Sequence, residues 1–277
     1  MREGLPMLTL TSPYCRIAAS ETGTGSGPAT PRTRSEKRAL HNAARSFVYD
    51  SVAQAVGERP VFAVQVGAND GKLSDPLLAY FETAGWHGLL LEPNPVYFDR
   101  LSDRHSDRPH VAVRRIGCSS CEGALTLHYL NPEFEHLYRR DAQGCASMDK
   151  ERMRAALAKE NPDVPDDHLA EITVAVRPLK AILADEGVAQ VDVLVIDVEG
   201  HEPEVLAGTD LRAMALTLAV VEQNTRATRE AIFQPFRDAG FEMFKLGGDV
   251  YALGDDYPAK QAAAEILLKA GGWRVES

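Results

Sequence analysis

The segment Asp197-Val198-Glu199-Gly200-His201-Glu202 places three carboxylates and an imidazole within six residues, directly after the apolar run VDVLVI. A polar cluster at the carboxyl end of a buried strand stands at the mouth of an open α/β sheet, where such folds bind ligands. On extended backbone Asp197 and Glu199 face one side and Val198 the other, and Gly200 permits close backbone approach. His201 has the side chain whose ordinary pKa suits general-base work near neutrality; a histidine touching solvent at a helix start is the alternative. Glu222, followed by Gln223 and Asn224, ends another apolar run and adds a carboxylate along the same edge. Asp197, Glu199 and Glu222 offer oxygen ligands to a divalent cation, but hydrogen bonding to a substrate explains them equally well, and no metal site is assigned.

A second group is Gly67-Ala68-Asn69-Asp70-Gly71, placed after the apolar run VFAVQV. Glycines allow a sharp turn and close approach to a ligand, and a following helix offers free N–H groups with a positive dipole end. The spacing is G-x-x-x-G rather than G-x-G-x-x-G, so a plain tight turn is an equal reading for this segment alone. Glu92-Pro93-Asn94 strengthens the ligand reading. Glu92 follows Gly71 by about 21 residues, close to the separation at which an acid accepts from a ribose diol in a doubly wound fold. Asn94 before Pro95 already provides a helix cap, which frees Glu92 for that role. Cys118 and Cys121 form a C-x-x-C without a second ligand pair, and are read as structural thiols rather than a zinc or redox site.

The elements that must position these groups follow from periodicity. Apolar positions Leu40, Ala44, Val48, Val52 and Val56 predict an amphipathic helix from Ser35 to Val56, stopped by Gly57 and Pro60. Short apolar runs predict strands at 61–66, 88–92, 111–116, 192–197 and 216–222, alternating with helical segments as in a parallel sheet covered on both faces. Asp75-Pro76 and Asn94-Pro95 each read as an N-cap followed by an N1 proline. Phe241–Leu246 and Val250–Leu253, split by Gly247-Gly248-Asp249, predict a hairpin, so the sheet should end in an antiparallel pair. Residues 124–178 interrupt the alternation and are expected to cover the site. Within them, Phe134, His136, Tyr138, Arg139 and Arg140 form either a binding surface for an acidic or sugar ligand or a solvated helix face.

Length and composition restrict the partners. The chain has 277 residues, 44% hydrophobic and 25% charged, with a net charge of −10. That is ordinary globular usage, and the wrong sign for a phosphate backbone, so nucleic acid is not expected. No apolar run approaches the roughly 20 residues a membrane helix needs. Residues 1–34, rich in Gly, Ser, Thr and Pro in their second half, are expected to be disordered or flexible, leaving 35–277 as a single domain. Without a recognisable leader and with scattered cysteines, the expected location is cytoplasmic. The helices at 35–56 and 259–270 are either dimer elements or covers of the core.

The stretches VFAVQVGANDGKLSDPLLAYF, GWHGLLLEPNPVYFDRL and VDVLVIDVEGHEPEVLAG resemble the successive motifs of the FkbM family of S-adenosyl-methionine-dependent methyltransferases. The resemblance runs from about residue 60 to 245. It implies the class I methyltransferase fold, a Rossmann-like doubly wound sheet of seven mostly parallel strands, with an antiparallel sixth and seventh and an insertion between strands 3 and 4. It also implies that Gly67, Ala68, Asn69, Asp70 and Gly71 surround the methionine part of S-adenosyl-methionine, that Glu92, Pro93 and Asn94 flank the ribose, and that Ile116, Gly117 and Cys118 meet the adenine. Asp197 to His201 would lie near the transferred methyl. Gln65 departs from the acidic residue many such enzymes carry on the first strand. The implied reaction is O-methylation of a hydroxyl on a small molecule, sugar or glycan precursor, with His201 or Asp197 as base and Glu199 and Glu222 orienting the acceptor. The rivals are a nicotinamide-dependent oxidoreductase, disfavoured by the glycine spacing and the antiparallel finish, and a non-catalytic cofactor-binding protein.

Overall fold

The computed structural model describes residues 33–73, 75–139, 142, 144–255, 257 and 259–276. Most of the segment expected to be flexible, and Arg140, lie outside them. The first helix, α1 (Arg34–Val56), begins slightly earlier than its periodicity predicts. Thr33 and Glu36 form a capping box, with Thr33 Oγ1 accepting from Glu36 N at 3.1 Å and Glu36 Oε2 accepting from Thr33 N at 2.8 Å.

The main sheet is built from β1 (Phe62–Val66), β2 (His87–Leu91), β3 (Val111–Arg114), β8 (Val193–Ile196), β9 (Leu218–Glu222), β10 (Glu242–Leu246), β11 (Asp249–Leu253) and β12 (Trp273–Arg274). Its spatial order is β3-β2-β1-β8-β9-β11-β10-β12. The first five strands run parallel, and the chain reverses direction outward from β1. The fold is therefore α/β with a mostly parallel doubly wound sheet, as expected for a class I methyltransferase.

Two details correct the expected sheet. The hairpin does not simply end it, because β11 inserts antiparallel between β9 and β10. Gly247 makes this turn possible by taking a φ of +61° in the two-residue loop. An eighth strand, the two-residue β12, then pairs with Phe244 and Lys245 at the edge.

Apolar residues fill both faces. On one face Val48 and Val52 of α1 pack with Ala263 and Leu267 of α8 (Lys260–Lys269) against Ala63, Val193 and Leu218. Both terminal helices thus cover the core with one face. On the other face, Ile182 and Leu183 of α5 (Leu179–Asp185), Val205 of α6 (Glu202–Ala207) and Phe233 and Phe236 of α7 (Arg229–Asp238) bury Val64, Leu89 and Leu194. At the amino edge of β8, Asp192 is fully buried, accepts two bonds from Arg59 at 2.8 and 2.6 Å, and accepts from Phe62 N at 2.8 Å.

Asp75 also departs from its expected role. Helix α2 (Leu78–Thr83) starts at a Leu77 cap without a side-chain bond, while Asp75 Oδ1 accepts from Leu77 N and Leu78 N at 2.7 and 3.2 Å. Asp75 therefore closes a turn ahead of the helix instead of capping it. Asn94 does cap α3 (Pro95–His105), accepting from Val96 N at 3.0 Å.

Between β3 and β8 the chain builds a second sheet of order β4-β7-β5-β6, from β4 (Gly117–Cys118), β5 (Gly123–Leu130), β6 (Ala146–Ser147) and β7 (Leu169–Arg177). It begins before the expected boundary at 124, because β4 leaves the main sheet after Arg114 and pairs in parallel with Val176 and Arg177. Helix α4 (Lys150–Ala158) lies against β5 through Met153 and Leu157, which meet Leu130 and Tyr138.

Candidate active site

A cleft of about 350 Å³ opens along the carboxyl ends of β1, β2, β8 and β9. Its walls include Gly67, Ala68, Asn69, Glu92, Pro93, Gly117, Cys118, Asp197, Glu199, His201 and Glu222, so eleven residues selected from the sequence meet in one cavity. Asp70, Gly71 and Asn94 stand behind this wall. Asp70 Oδ1 accepts from Lys72 N and Leu73 N, Gly71 faces Leu101 of α3, and Asn94 is held to its helix cap.

The first end of the cleft is made by backbone. Gly67 N and Ala68 N donate to Leu91 O at 3.0 and 3.1 Å, which ties the loop after β1 to the end of β2. Gly67 has a φ of +83°, and a Cβ there would sit 1.9 Å from the Asp197 carbonyl oxygen, so only glycine allows the two strand ends to approach. Glu92 is 5% exposed. Its Oε2 accepts from Asn69 N at 2.9 Å and its Oε1 from Asn94 N at 2.8 Å. Burial pushes its carboxyl up to about 7, and the two amide donors work against that rise.

Beside this loop lie Gln65 and Asp75. Both residues line the cleft, and Gln65 Oε1 and Asp75 Oδ2 are buried with no hydrogen-bond partner among the described residues. Burial raises the Asp75 carboxyl, while the bonds from Leu77 and Leu78 and the neighbouring Gln65 amide oppose the rise. Asp75 was read from the sequence as a helix cap alone.

The other end is made by acids. One carboxylate oxygen from each of Asp197, Glu199 and Glu222 lies within 4.8 Å of the others. Asp197 stands open to the cleft yet is enclosed by protein behind it, and its carboxyl is raised well above its ordinary value by burial, then by Glu222 and Glu199. Burial also lifts Glu222 to about 7, with Glu199 and Glu202 adding to the rise. The chain answers this crowding with Arg152 of α4, whose Nη2 donates to Glu199 Oε2 at 2.9 Å and Glu222 Oε2 at 3.1 Å. Burial works against the Arg152 charge, and the two carboxylates outweigh it and hold the guanidinium charged. A guanidinium therefore already bridges two of the three acids that the sequence offered as cation ligands, Glu199 and Glu222.

The loop after β8 is stiffened locally. Glu199 adopts a φ of +53° and Gly200 of +108°, and buried Glu202 Oε1 accepts from Val198 N and Gly200 N at 3.2 and 3.0 Å. His201 Nε2 lies 3.1 Å from Ser119 Oγ, and its Nδ1 lies 3.6 Å from Glu204. Burial lowers the His201 pKa, so the imidazole is neutral at neutral pH, and Glu204 opposes that effect.

The inserted region closes over both ends. Asn69 Nδ2 donates to Gly144 O at 2.6 Å, and Ser147 Oγ donates to Glu199 O at 2.8 Å. The Phe134–Arg139 cluster does not reach the cleft. Phe134 stacks on His168 with centroids 4.2 Å apart, and Tyr138 Oη bonds His168 Nδ1 at 2.7 Å, so these rings build the core of the insertion. Arg152, Ser119 and Ser147 were not anticipated. Arg152 sits in an unremarkable helical stretch, RMRAALA, and only tertiary structure brings it to the acids.

Comparison with known proteins places the chain in a family. The family model described as "Methyltransferase FkbM domain" matches residues 65–247. Methyltransferase sdnD of Sordaria araneosa is 28% identical over 195 residues, covering 66% of this chain and 74% of that protein. Methyltransferase FkbM from Methylobacillus flagellatus superposes with a TM-score of 0.42 at 12% identity, covering 81% of this chain and 56% of its own, so this chain spans little more than half of that structure. The N-terminal domain of human METTL16 in complex with SAH gives a TM-score of 0.40 at 12% identity, over 81% and 71% of the two chains. With its motifs, its strand order and a family match from the first strand to the hairpin turn, the chain belongs to the FkbM family of methyltransferases.

Proposed function

We propose that the protein is an S-adenosyl-methionine-dependent O-methyltransferase acting on a hydroxyl of a small molecule, sugar or glycan precursor. The observation that carries this reading is the single cleft joining a backbone-lined end, with a buried carboxylate, to an acid-lined end suited to taking a proton. The first end fits the cofactor. Each Glu92 oxygen accepts one amide bond and retains a second acceptor position, which suits a ribose diol. Gln65 Oε1 and Asp75 Oδ2, both without partners among the described residues, suit the methionine ammonium, so Asp75 supplies the carboxylate that β1 lacks. Gly117 and Cys118 form the wall toward the adenine.

Bound S-adenosyl-methionine supplies a methyl group on a positively charged sulfur, already activated for in-line displacement. The protein must align the acceptor oxygen and remove its proton. Glu199 and Glu222, fixed by Arg152, orient the hydroxyl. Asp197 is the favoured base: among the described residues its carboxylate has no hydrogen bond, it faces the cleft, and its raised pKa makes it a better proton acceptor. His201, neutral but engaged with Ser119, is the second candidate. Arg152 ties Glu199 to Glu222 without a divalent cation.

Calorimetry with S-adenosyl-homocysteine, with and without magnesium, tests the cofactor assignment. Micromolar binding, about −8 kcal/mol, that Glu92→Ala weakens and magnesium leaves unchanged is the expected result. No binding by folded protein would remove the methyltransferase reading. With an acceptor in hand, Asp197→Asn should lower turnover at least about 100-fold while sparing cofactor affinity, and a larger loss in His201→Ala than in Asp197→Asn would transfer the base role to His201.

A further inference from the structure

A second cleft of about 350 Å³ lies against the hairpin turn beside the first. Its outer wall is one face of α1, carrying Arg34, Lys37, Arg38, His41 and Arg45 at intervals of three and four residues. Residues 34–45 hold four arginines and lysines against one acid, Glu36, in a chain of net charge −10. No ion pair among the described residues engages Arg34, Lys37, Arg38 or Arg45. Like charges one turn apart repel, and among the described residues Asp249 is the acid that lines this cleft with them.

The cleft leads to the acids. Arg45 and Asp249 line both cavities, and Asp249 acts electrostatically on Asp197 on one side while Arg45 and His41 act on it from the other. Gly247 and His41 face each other across this cleft, where a Cβ on residue 247 would lie 3.3 Å from His41 Nδ1. Four basic residues span about 16 Å of helix at 1.5 Å per residue, enough for a group larger than a single ion.

We infer that the methyl acceptor is an anionic hydroxyl compound, a sugar or polyol bearing a phosphate or carboxylate, whose anion seats on the basic face of α1 while its hydroxyl reaches Asp197. This rests on the methyl-transfer reading and narrows its substrate class. The cluster of cations draws such acceptors to the mouth and orients them along the passage.

The test uses the full chain saturated with S-adenosyl-homocysteine, titrated calorimetrically at low salt with inorganic pyrophosphate and separately with citrate. Saturable binding is expected, at least tenfold weaker in R34S/K37S/R38S and in Arg45→Gln, with the triple variant binding S-adenosyl-homocysteine within twofold of wild type. Tighter pyrophosphate binding assigns a phosphate, and tighter citrate binding a carboxylate. Protein that binds S-adenosyl-homocysteine but neither anion, or binds anions equally well in both variants, overturns this inference and leaves the methyltransferase reading intact. Failure to bind S-adenosyl-homocysteine overturns that reading instead. Cosedimentation with phosphatidylglycerol vesicles without binding of either free anion would overturn the acceptor site in favour of a membrane-facing helix.

Discussion

Buried Glu92 and the cleft-facing Asp197–Glu199–Glu222 group are carboxylates at strand ends on either side of β1, and they are stabilised in opposite ways. Glu92 is completed by its own neighbourhood, through amide donors from Asn69 and Asn94 within the two adjoining loops. The three acids crowd one another, and two of them, Glu199 and Glu222, are completed from far along the chain by Arg152 in the inserted helix. A site finished by local backbone is fixed once the sheet forms. A site finished by a distant cation exists only when the insertion is docked.

The largest effect expected is from Gly67→Ala, which strikes both regions at once. The added Cβ would collide with the Asp197 carbonyl at a left-handed φ, costing about 3 kcal/mol and lowering Tm by about 10 °C. A thermal shift of less than a few degrees would mean that the strand ends are less constrained than their geometry indicates.

Arg152→Ala separates the two regions. It leaves Glu199 and Glu222 without their shared donor, and charged hydrogen bonds contribute about 1.5–3 kcal/mol each. Turnover should fall about 100-fold while S-adenosyl-homocysteine affinity stays within about threefold, and Arg152→Lys should recover part of the loss. Equal losses of turnover and cofactor affinity would erase the contrast.

Acid titration sharpens it further. A ribose diol favours ionised Glu92, whose pKa is about 7 without it. Affinity for S-adenosyl-homocysteine should therefore fall about tenfold from pH 8 to pH 6, and Glu92→Gln should flatten that profile. Stability of the cofactor-free protein has the opposite slope. Glu92 and Glu222 both titrate higher folded than unfolded, so their contribution is full below about pH 4.5 and is lost as pH rises through about 7. Denaturation across pH 4.5 to 8 should show that loss, reduced in Glu222→Gln. The smallest effect is expected from Ser119→Ala, which removes one partner of His201 and should change turnover less than about threefold if Asp197 is the base.

What could be read from sequence follows the same division. Parallel strands buried on both faces announce themselves as unbroken apolar runs, so Val64, Leu89, Leu194 and Val220 marked the sheet, and the polar residues ending those runs marked the cleft. The Gly247 turn announced the hairpin but not its crossing, because the place of β11 between β9 and β10 depends on pairing partners far apart in sequence. Asp75 was misread because an Asp before Pro signals a cap and a free turn alike, and only the structure shows its second oxygen buried beside the cleft without a partner among the described residues. Arg152 left no local trace, since nothing in a helical RMRAALA tells which residue meets two acids some 50 and 70 positions later.

The inserted region grips the sheet at separate points: Gly144 on Asn69 at one end, Ser147 and Arg152 on the Glu199 loop at the other. The cover is thus pinned to the loop after β1 and to the loop after β8 by separate contacts, so a substitution at Asn69 and one at Ser147 or Arg152 each loosen a different edge of the same roof.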